Sequence, residues 1–375
     1  MSAPSVARAG RVASVVARLP MYGSFRTFGW PAVGPLAMTF VVTDRCNSLC
    51  KTCHIGRRYL DDPSVADGEL SLDEYARIFR TLGRVQWVTL SGGEPFMRED
   101  LAELAIDLVR SVSPLVVNIP TNGSFVEATA RAVSRIVESL GATRLIVNLS
   151  VDGVGPAHDE VRGLRHNFDL LRETMKRLRG IGDRRLTVGA NTVISRYNVD
   201  RVEEIFDFVL GTMRPDSYVV EAAQIRPEYY NDGDQLAADR EALARALGAL
   251  VRRTKDERRR GLARLVKAFR IEQYAEMTRA LERPRGHRCY SGFITCTIMP
   301  TGEVWSSTQR ADRMGNIREH GGDFRALWRS RSARAARERV RAARCHCETS
   351  NVHYTNAIMS VATMPRVLWN YVRYP

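Results

Sequence analysis

Seven cysteines fall in two groups, and the first is where the chain is best equipped for chemistry. Cys46, Cys50 and Cys53 stand in the run Thr-Asp-Arg-Cys-Asn-Ser-Leu-Cys-Lys-Thr-Cys-His, directly after an apolar stretch at 38–42. Soft thiolates match iron, and C-x3-C-x2-C spacing on a loop leaving a strand lets that loop wrap three corners of a cubane iron-sulfur cluster. Three ligands for four irons leave one iron open to bind a substrate or cofactor. The same residues could hold zinc, with His54 adjacent to Cys53 as a further ligand, or could be buried thiols. The second group, Cys289, Cys296, Cys345 and Cys347, has enough thiols for a fully ligated cluster or a structural zinc, with His287, His346 and His353 as substitute ligands.

Further polar motifs follow at regular intervals, each after an apolar run. Ser91-Gly92-Gly93-Glu94-Pro95 ends the run 85–90, Pro120-Thr121-Asn122-Gly123 follows 115–117, and Ser150-Val151-Asp152-Gly153 follows 145–147. Together with the cysteines these resemble the signature of the radical S-adenosylmethionine (radical SAM) superfamily over roughly residues 38–225. The resemblance implies a [4Fe-4S] cluster on Cys46, Cys50 and Cys53, and SAM chelated to its open iron. One-electron cleavage there would yield a 5′-deoxyadenosyl radical, fed by a reductase or a flavodoxin- or ferredoxin-type donor. It also implies that the Gly92 to Pro95 motif meets the methionine amino group. The two glycines would let backbone approach, and Glu94 would accept from the ammonium. Asn122, Ser150 and Asp152 would hydrogen-bond the ribose or carboxylate, although Asp152 also suits the Asp-Gly turn it begins. Asn191, inside an apolar run, either points at the cofactor or is a satisfied structural amide. Thr52 stands where relatives often carry an aromatic.

The elements that must hold these residues alternate. Helices are expected at 72–82, 100–112, 125–140, 167–181 and 199–210, and strands at 38–42, 85–90, 115–119, 144–151, 186–194 and 218–222. That order predicts a parallel sheet with crossover helices, an α/β fold, with every motif at the carboxyl end of a strand. It agrees with the partial (β/α)6 barrel the resemblance implies. Beyond a long helical stretch at 236–281, the segment 298–305 reads as a hairpin turning at Pro300-Thr301-Gly302, followed by a helix near 324–328. With the second cysteine group this resembles the SPASM and twitch extensions that carry auxiliary clusters. The expectation is therefore a small C-terminal α+β extension with one auxiliary [4Fe-4S] cluster.

The expected organisation is a basic amphipathic lead-in (1–37), the barrel (38–235), a helical linker (236–285), the cysteine-containing extension (286–357) and an amphipathic tail (358–375). Only 37 residues precede the first strand, which leaves no room for a separate leader-binding domain. Pro20, Gly23 and Gly29 are expected to break the lead-in after a short helix. With 44% hydrophobic and 26% charged residues the composition is that of a globular protein, and no apolar run is long enough to span a bilayer. Cysteines used as ligands suit a reducing, cytoplasmic compartment. A net charge of +14 favours an anionic partner: a phosphate-bearing metabolite, nucleic acid, an acidic peptide or a membrane surface touched by the two termini. The expected function is radical chemistry on a small-molecule, sugar or lipid-linked substrate, with peptide modification as the alternative. A non-catalytic metalloprotein that binds nucleic acid would leave the Gly-Gly-Glu-Pro motif without a purpose.

Overall fold

A computed structural model describes residues 3–282, 288–343, 350–360 and 362–375. The chain opens with helix α1 (Ala3–Phe28) and enters a repeating strand and helix pattern. In order these are β1 (Ala37–Val41), α2 (Ile55–Asp61), α3 (Leu72–Leu82), β2 (Trp87–Ser91), α4 (Leu101–Val112), β3 (Val116–Thr121), α5 (Val126–Glu138) and β4 (Arg144–Ser150). After α6 (Pro156–Arg162), α7 (Asn167–Gly180), β5 (Leu186–Ile194), α8 (Val202–Asp207) and β6 (Ser217–Ala222) come two long helices, α9 (Arg240–Asp256) and α10 (Gly261–Glu282). The remainder holds β7 (Thr295–Ile298), β8 (Glu303–Trp305), β9 (Arg313–Asn316), α11 (Phe324–Arg329), α12 (Arg331–Ala342), α13 (Ser350–Ile358) and α14 (Thr363–Arg373).

The first six strands pair in parallel, each with its neighbour in sequence, giving the open partial barrel of α/β class that the alternation predicts. Leu145, Val147 and Leu149 of β4 are fully buried, whereas Ile146 and Asn148 between them are less so. Strand alternation therefore sends the first set into the helix layer and the second to the concave face. That concave face is polar. Asn148 Nδ2 donates to Asn118 Oδ1 at 2.8 Å and Asn118 Nδ2 approaches Thr89 Oγ1 at 3.5 Å, while a Cβ on Gly189 would collide with Asn148 Oδ1.

Three features differ from what the sequence leads one to expect. Helix α1 does not break at Pro20 but runs on to Phe28. A helix-interior proline costs about 3 kcal/mol, and burial of Tyr22 and Phe25 offsets it at roughly 1.5–3 kcal/mol for each large side chain. The Tyr22 hydroxyl donates to the Gly34 carbonyl at 2.8 Å, and Phe25 meets Phe293 edge-on at 5.4 Å. Second, the stretch at 236–281 is two helices that pack on each other, the second of them also on α14, with the Tyr274 hydroxyl accepting from the Val220 N–H of β6 at 3.2 Å. Third, the hairpin at Gly302 forms as expected, but β7 pairs in parallel with β1, Ala37 opposite Thr295. The C-terminal strands thus continue the barrel's sheet, in the order β6-β5-β4-β3-β2-β1-β7-β8-β9.

Candidate active site

The cysteine loop leaves β1 and is clamped from two sides. On one side the Gly-Gly-Glu-Pro loop prolongs the β1–β2 pairing, with Gly93 N–H donating to Thr43 O at 2.9 Å and Glu94 N–H to Arg45 O at 2.8 Å. On the other, Lys51 N–H donates to Val161 O at 2.9 Å, at the end of α6. Close approach explains the glycines. A Cβ on Gly93 would lie 2.7 Å from the Cys46 Cβ, one on Gly92 would strike Thr43 O, one on Gly56 would strike Ser48 O, and one on Gly163 would strike Leu49 O. Gly92 and Gly93 therefore let the cysteine loop pack against the loop that follows β2.

Glu94 also has partners inside the protein. Its Oε1 accepts from Phe96 N–H at 3.1 Å and the Thr121 hydroxyl at 2.8 Å, and its Oε2 from Asn122 N–H at 2.7 Å. The Asn122 amide in turn donates to Asn47 Oδ1 at 2.8 Å and Ser48 Oγ at 2.9 Å. Glu94 and Asn122, expected as cofactor contacts, thus form a brace that holds the β2 and β3 loops to the cysteine loop. Pro95 opens a single 3-10 turn whose first N–H, that of Phe96, Glu94 caps.

Asp152 belongs to a second brace. Its Oδ1 accepts from Val193 N–H at 2.8 Å and its Oδ2 from Arg162 Nη1 at 3.1 Å. Its own N–H donates to His158 Nδ1 at 3.2 Å, and His158 Nε2 lies 3.0 Å from Asn167 Oδ1. That network assigns the proton to Nε2 and keeps the ring neutral, with burial holding its pKa below the ordinary range. Arg162 sits between Asp152 and the thiols. Its charge opposes the upward shifts of all three cysteines, and its Nε is buried without a hydrogen-bond partner among the described residues. Ser150, at the end of β4, and Asn191, inside β5, are opposite each other in the register, their side chains 3.4 Å apart. Asn191 alternates with the fully buried Ala190 and Thr192 and so faces the concave side.

Cys46, Cys50 and Cys53 are free, the first two buried and the third half-buried. Burial pushes the Cys46 thiol up to about 12 and raises Cys50 and Cys53 as well. As thiols they keep their protons at neutral pH and must release them to a metal. Among the described residues no three Cys, His, Asp or Glu side chains converge on a point that one ion could fill. Zinc needs its ligands at ~2.3 Å from one centre, and His54 Nε2 is already 2.6 Å from Asp234 Oδ2. Three thiols on one loop are donors of the type an iron-sulfur cluster takes, and the guanidinium nitrogen of Arg162 that lacks a partner among the described residues suits an anionic ligand beside them.

The second cysteine group is described only in part. Cys289 is buried, its Sγ 3.2 Å from Ser291 Oγ. Cys296, inside β7 opposite Met38, is buried in the core, with Arg337 as the nearby charge that opposes its raised pKa. Cys345, Cys347, His287 and His346 lie outside the described residues, as does the His353 side chain. Sequence reasoning missed Arg162, His158 and Asn167. The signal was there in Gly155-Pro156 and Gly163, an N-terminal proline and a terminal glycine that bracket a short helix.

A model of the radical SAM superfamily matches residues 40–209. The chain is 27% identical over 171 residues to the Fe-coproporphyrin III synthase of Methanosarcina barkeri, covering 45% of this chain and 39% of that protein. It is 31% identical over 178 residues to the mycofactocin maturase MftC of Mycolicibacterium smegmatis, covering 45% and 40%. The matches thus span about four-tenths of the length of these curated relatives. In fold it resembles native anSMEcpe with bound AdoMet, with a TM-score of 0.60, 13% identity, and coverage of 91% of this chain and 100% of that one.

Proposed function

From the premise that residues 40–209 form a radical SAM domain, we propose that this chain is a radical SAM enzyme acting on a polar small-molecule, sugar or lipid-linked substrate. Cys46, Cys50 and Cys53 hold the [4Fe-4S] cluster. When bound and reduced, cluster and SAM supply a 5′-deoxyadenosyl radical that takes hydrogen from the substrate. The observation that supports this reading is the three-thiol loop clamped between the Gly-Gly-Glu-Pro loop and α6, with Arg162, held by Asp152, placing its charge beside the thiols.

The chain's own residues bind and orient. Arg162, held by Asp152, receives the SAM carboxylate. Ser150 and Asn191 take the ribose hydroxyls from the concave face. With Glu94 engaged by Thr121, Asn122 and Phe96, the methionine ammonium is left chiefly to backbone carbonyls of the 92–95 loop. Polar Thr89, Asn118 and Asn148 suit a hydrated substrate. At the far rim Arg226 lies 3.4 Å from Glu221 and 3.5 Å from Glu228, a set able to anchor its polar end. A one-electron donor of flavodoxin or ferredoxin type completes the system. A peptide substrate is the second reading, favoured by the similarity to the mycofactocin maturase.

The test is iron and sulfide content after anaerobic reconstitution, together with 5′-deoxyadenosine formation, for the natural chain and for one with Cys46, Cys50 and Cys53 changed to alanine. About eight irons falling to about four supports a second cluster on the later cysteines, and about four falling to none supports the barrel cluster alone. Iron-free protein that makes no 5′-deoxyadenosine overturns the reading.

A further inference from the structure

Helix α14 is packed with its most apolar residues outward. Toward α10 it turns Thr363, Val367 and Asn370, all buried, with the Thr363 hydroxyl 3.5 Å from Glu276 Oε1. Toward solvent it presents Leu368, Trp369 and Val372, which are 56%, 65% and 72% exposed. Ordinary amphipathic packing would place the second set inside. A helix that buries threonine and asparagine while exposing leucine, tryptophan and valine has a surface shaped for something other than its own core.

Tertiary packing also brings a cationic rim to this face. Arg264 Nη2 donates to Val372 O at 3.1 Å and its guanidinium lies 4.7 Å from the Tyr371 ring centroid. Lys255 lies 4.9 Å from the Tyr374 ring, and Lys267 Nζ donates both to Lys255 O and to Pro375 O at 3.0 Å. The connection between α9 and α10, which carries Glu257-Arg258-Arg259-Arg260, therefore abuts the end of α14. Arg259 pairs with Glu257 at 3.0 Å. Arg258 and Arg260 are exposed and in no ion pair among the described residues. Asp256 is the exposed acid nearby, Arg366 is shared with Glu272 at 3.3 Å, and α14 itself contains no acidic residue.

We propose that this face docks on an anionic lipid bilayer, with α14 lying in the headgroup plane. Leu368, Trp369 and Val372 would enter the acyl boundary, where tryptophan is favoured, and the arginines would reach the phosphates. Two copies of this chain placed face to face would bring their cationic rims together, which disfavours self-association as the cover. No described helix is long and apolar enough to cross a membrane, so the contact is with the surface. The inference stands apart from the proposed reaction, because α14 holds no residue assigned to it.

The test is flotation of the full chain with vesicles of phosphatidylcholine alone and of phosphatidylcholine with phosphatidylglycerol. The natural chain floats with the anionic vesicles and is released by salt. Leu368→Ser/Trp369→Ser/Val372→Ser lowers the bound fraction at least tenfold, and Arg258→Gln/Arg260→Gln lowers it on anionic vesicles, both with an unchanged thermal melt. A natural chain that does not float overturns the proposal, and so does a triple variant that floats equally well. A dimer in gel filtration that the triple variant converts to monomer assigns the face to a second copy and also overturns it. Because the readout needs no turnover, loss of 5′-deoxyadenosine formation leaves its outcome unaffected.

Discussion

A methyl group added at Gly56 has nowhere to go, since it would overlap the Ser48 carbonyl inside the cysteine loop. Gly56→Ala is therefore expected to displace that loop and lower iron content after reconstitution to well below half, in a chain whose far-UV spectrum is preserved. A variant that loads iron normally would mean the loop can move aside. Arg162 makes the complementary case. It touches Asp152 and influences the thiols without being a ligand. Hydrogen bonds to charged groups contribute about 1.5–3 kcal/mol, so Arg162→Met should weaken SAM binding roughly 10- to 100-fold while iron content stays near that of the natural chain. Arg162→Lys should restore part of it. Equal loss of iron and SAM binding would instead make Arg162 a purely structural support of the loop.

At the scale of elements, α3 shows how local and distant contacts combine. Ser71 and Glu74 form a reciprocal capping box, and Glu74 also binds Arg318 beyond β9 at 2.7 Å. That bond, foremost, holds the Glu74 carboxyl down at about 2. A carboxyl lowered in the folded state contributes stability above its unfolded value, and the contribution disappears as pH falls through the folded value. Glu74→Gln should therefore lower the melting temperature at pH 7, and its difference from the natural chain should shrink as pH drops from about 4.5 toward about 2. A pH-independent difference would place the effect in packing. The capping box was open to sequence reading, because it needs only residues three apart. Arg318 was not, since it lies 244 positions away.

At the scale of the whole molecule, β7 joins β1 edge to edge and Phe25 of α1 packs on Phe293 and near Trp328. The C-terminal strands and the barrel share a sheet and a core, so they should unfold together. Urea melts followed by tryptophan fluorescence and by far-UV circular dichroism are expected to coincide. Two separated transitions would show that the shared strand pair does not couple them.

The order of strands and helices, the parallel sheet and the cysteine loop with its neighbouring motifs were legible in the sequence because each depends on short spacing. Periodicity marks an element, and the three thiols of the cysteine motif fall within eight residues, Cys46 to Cys53. Tertiary structure decided which partners those motif residues have. Glu94, Asn122 and Asp152 became braces because their partners, Thr121, Asn47 and Arg162, come from other loops. Arg162 reached the thiols only through the packing of α6. Helix α1 outlasted Pro20 because Tyr22 and Phe25 found a core, and α14 faces outward because α10 accepted its other side. Composition fixes which residues can pair or be buried, but the partner across the fold determines which ones are.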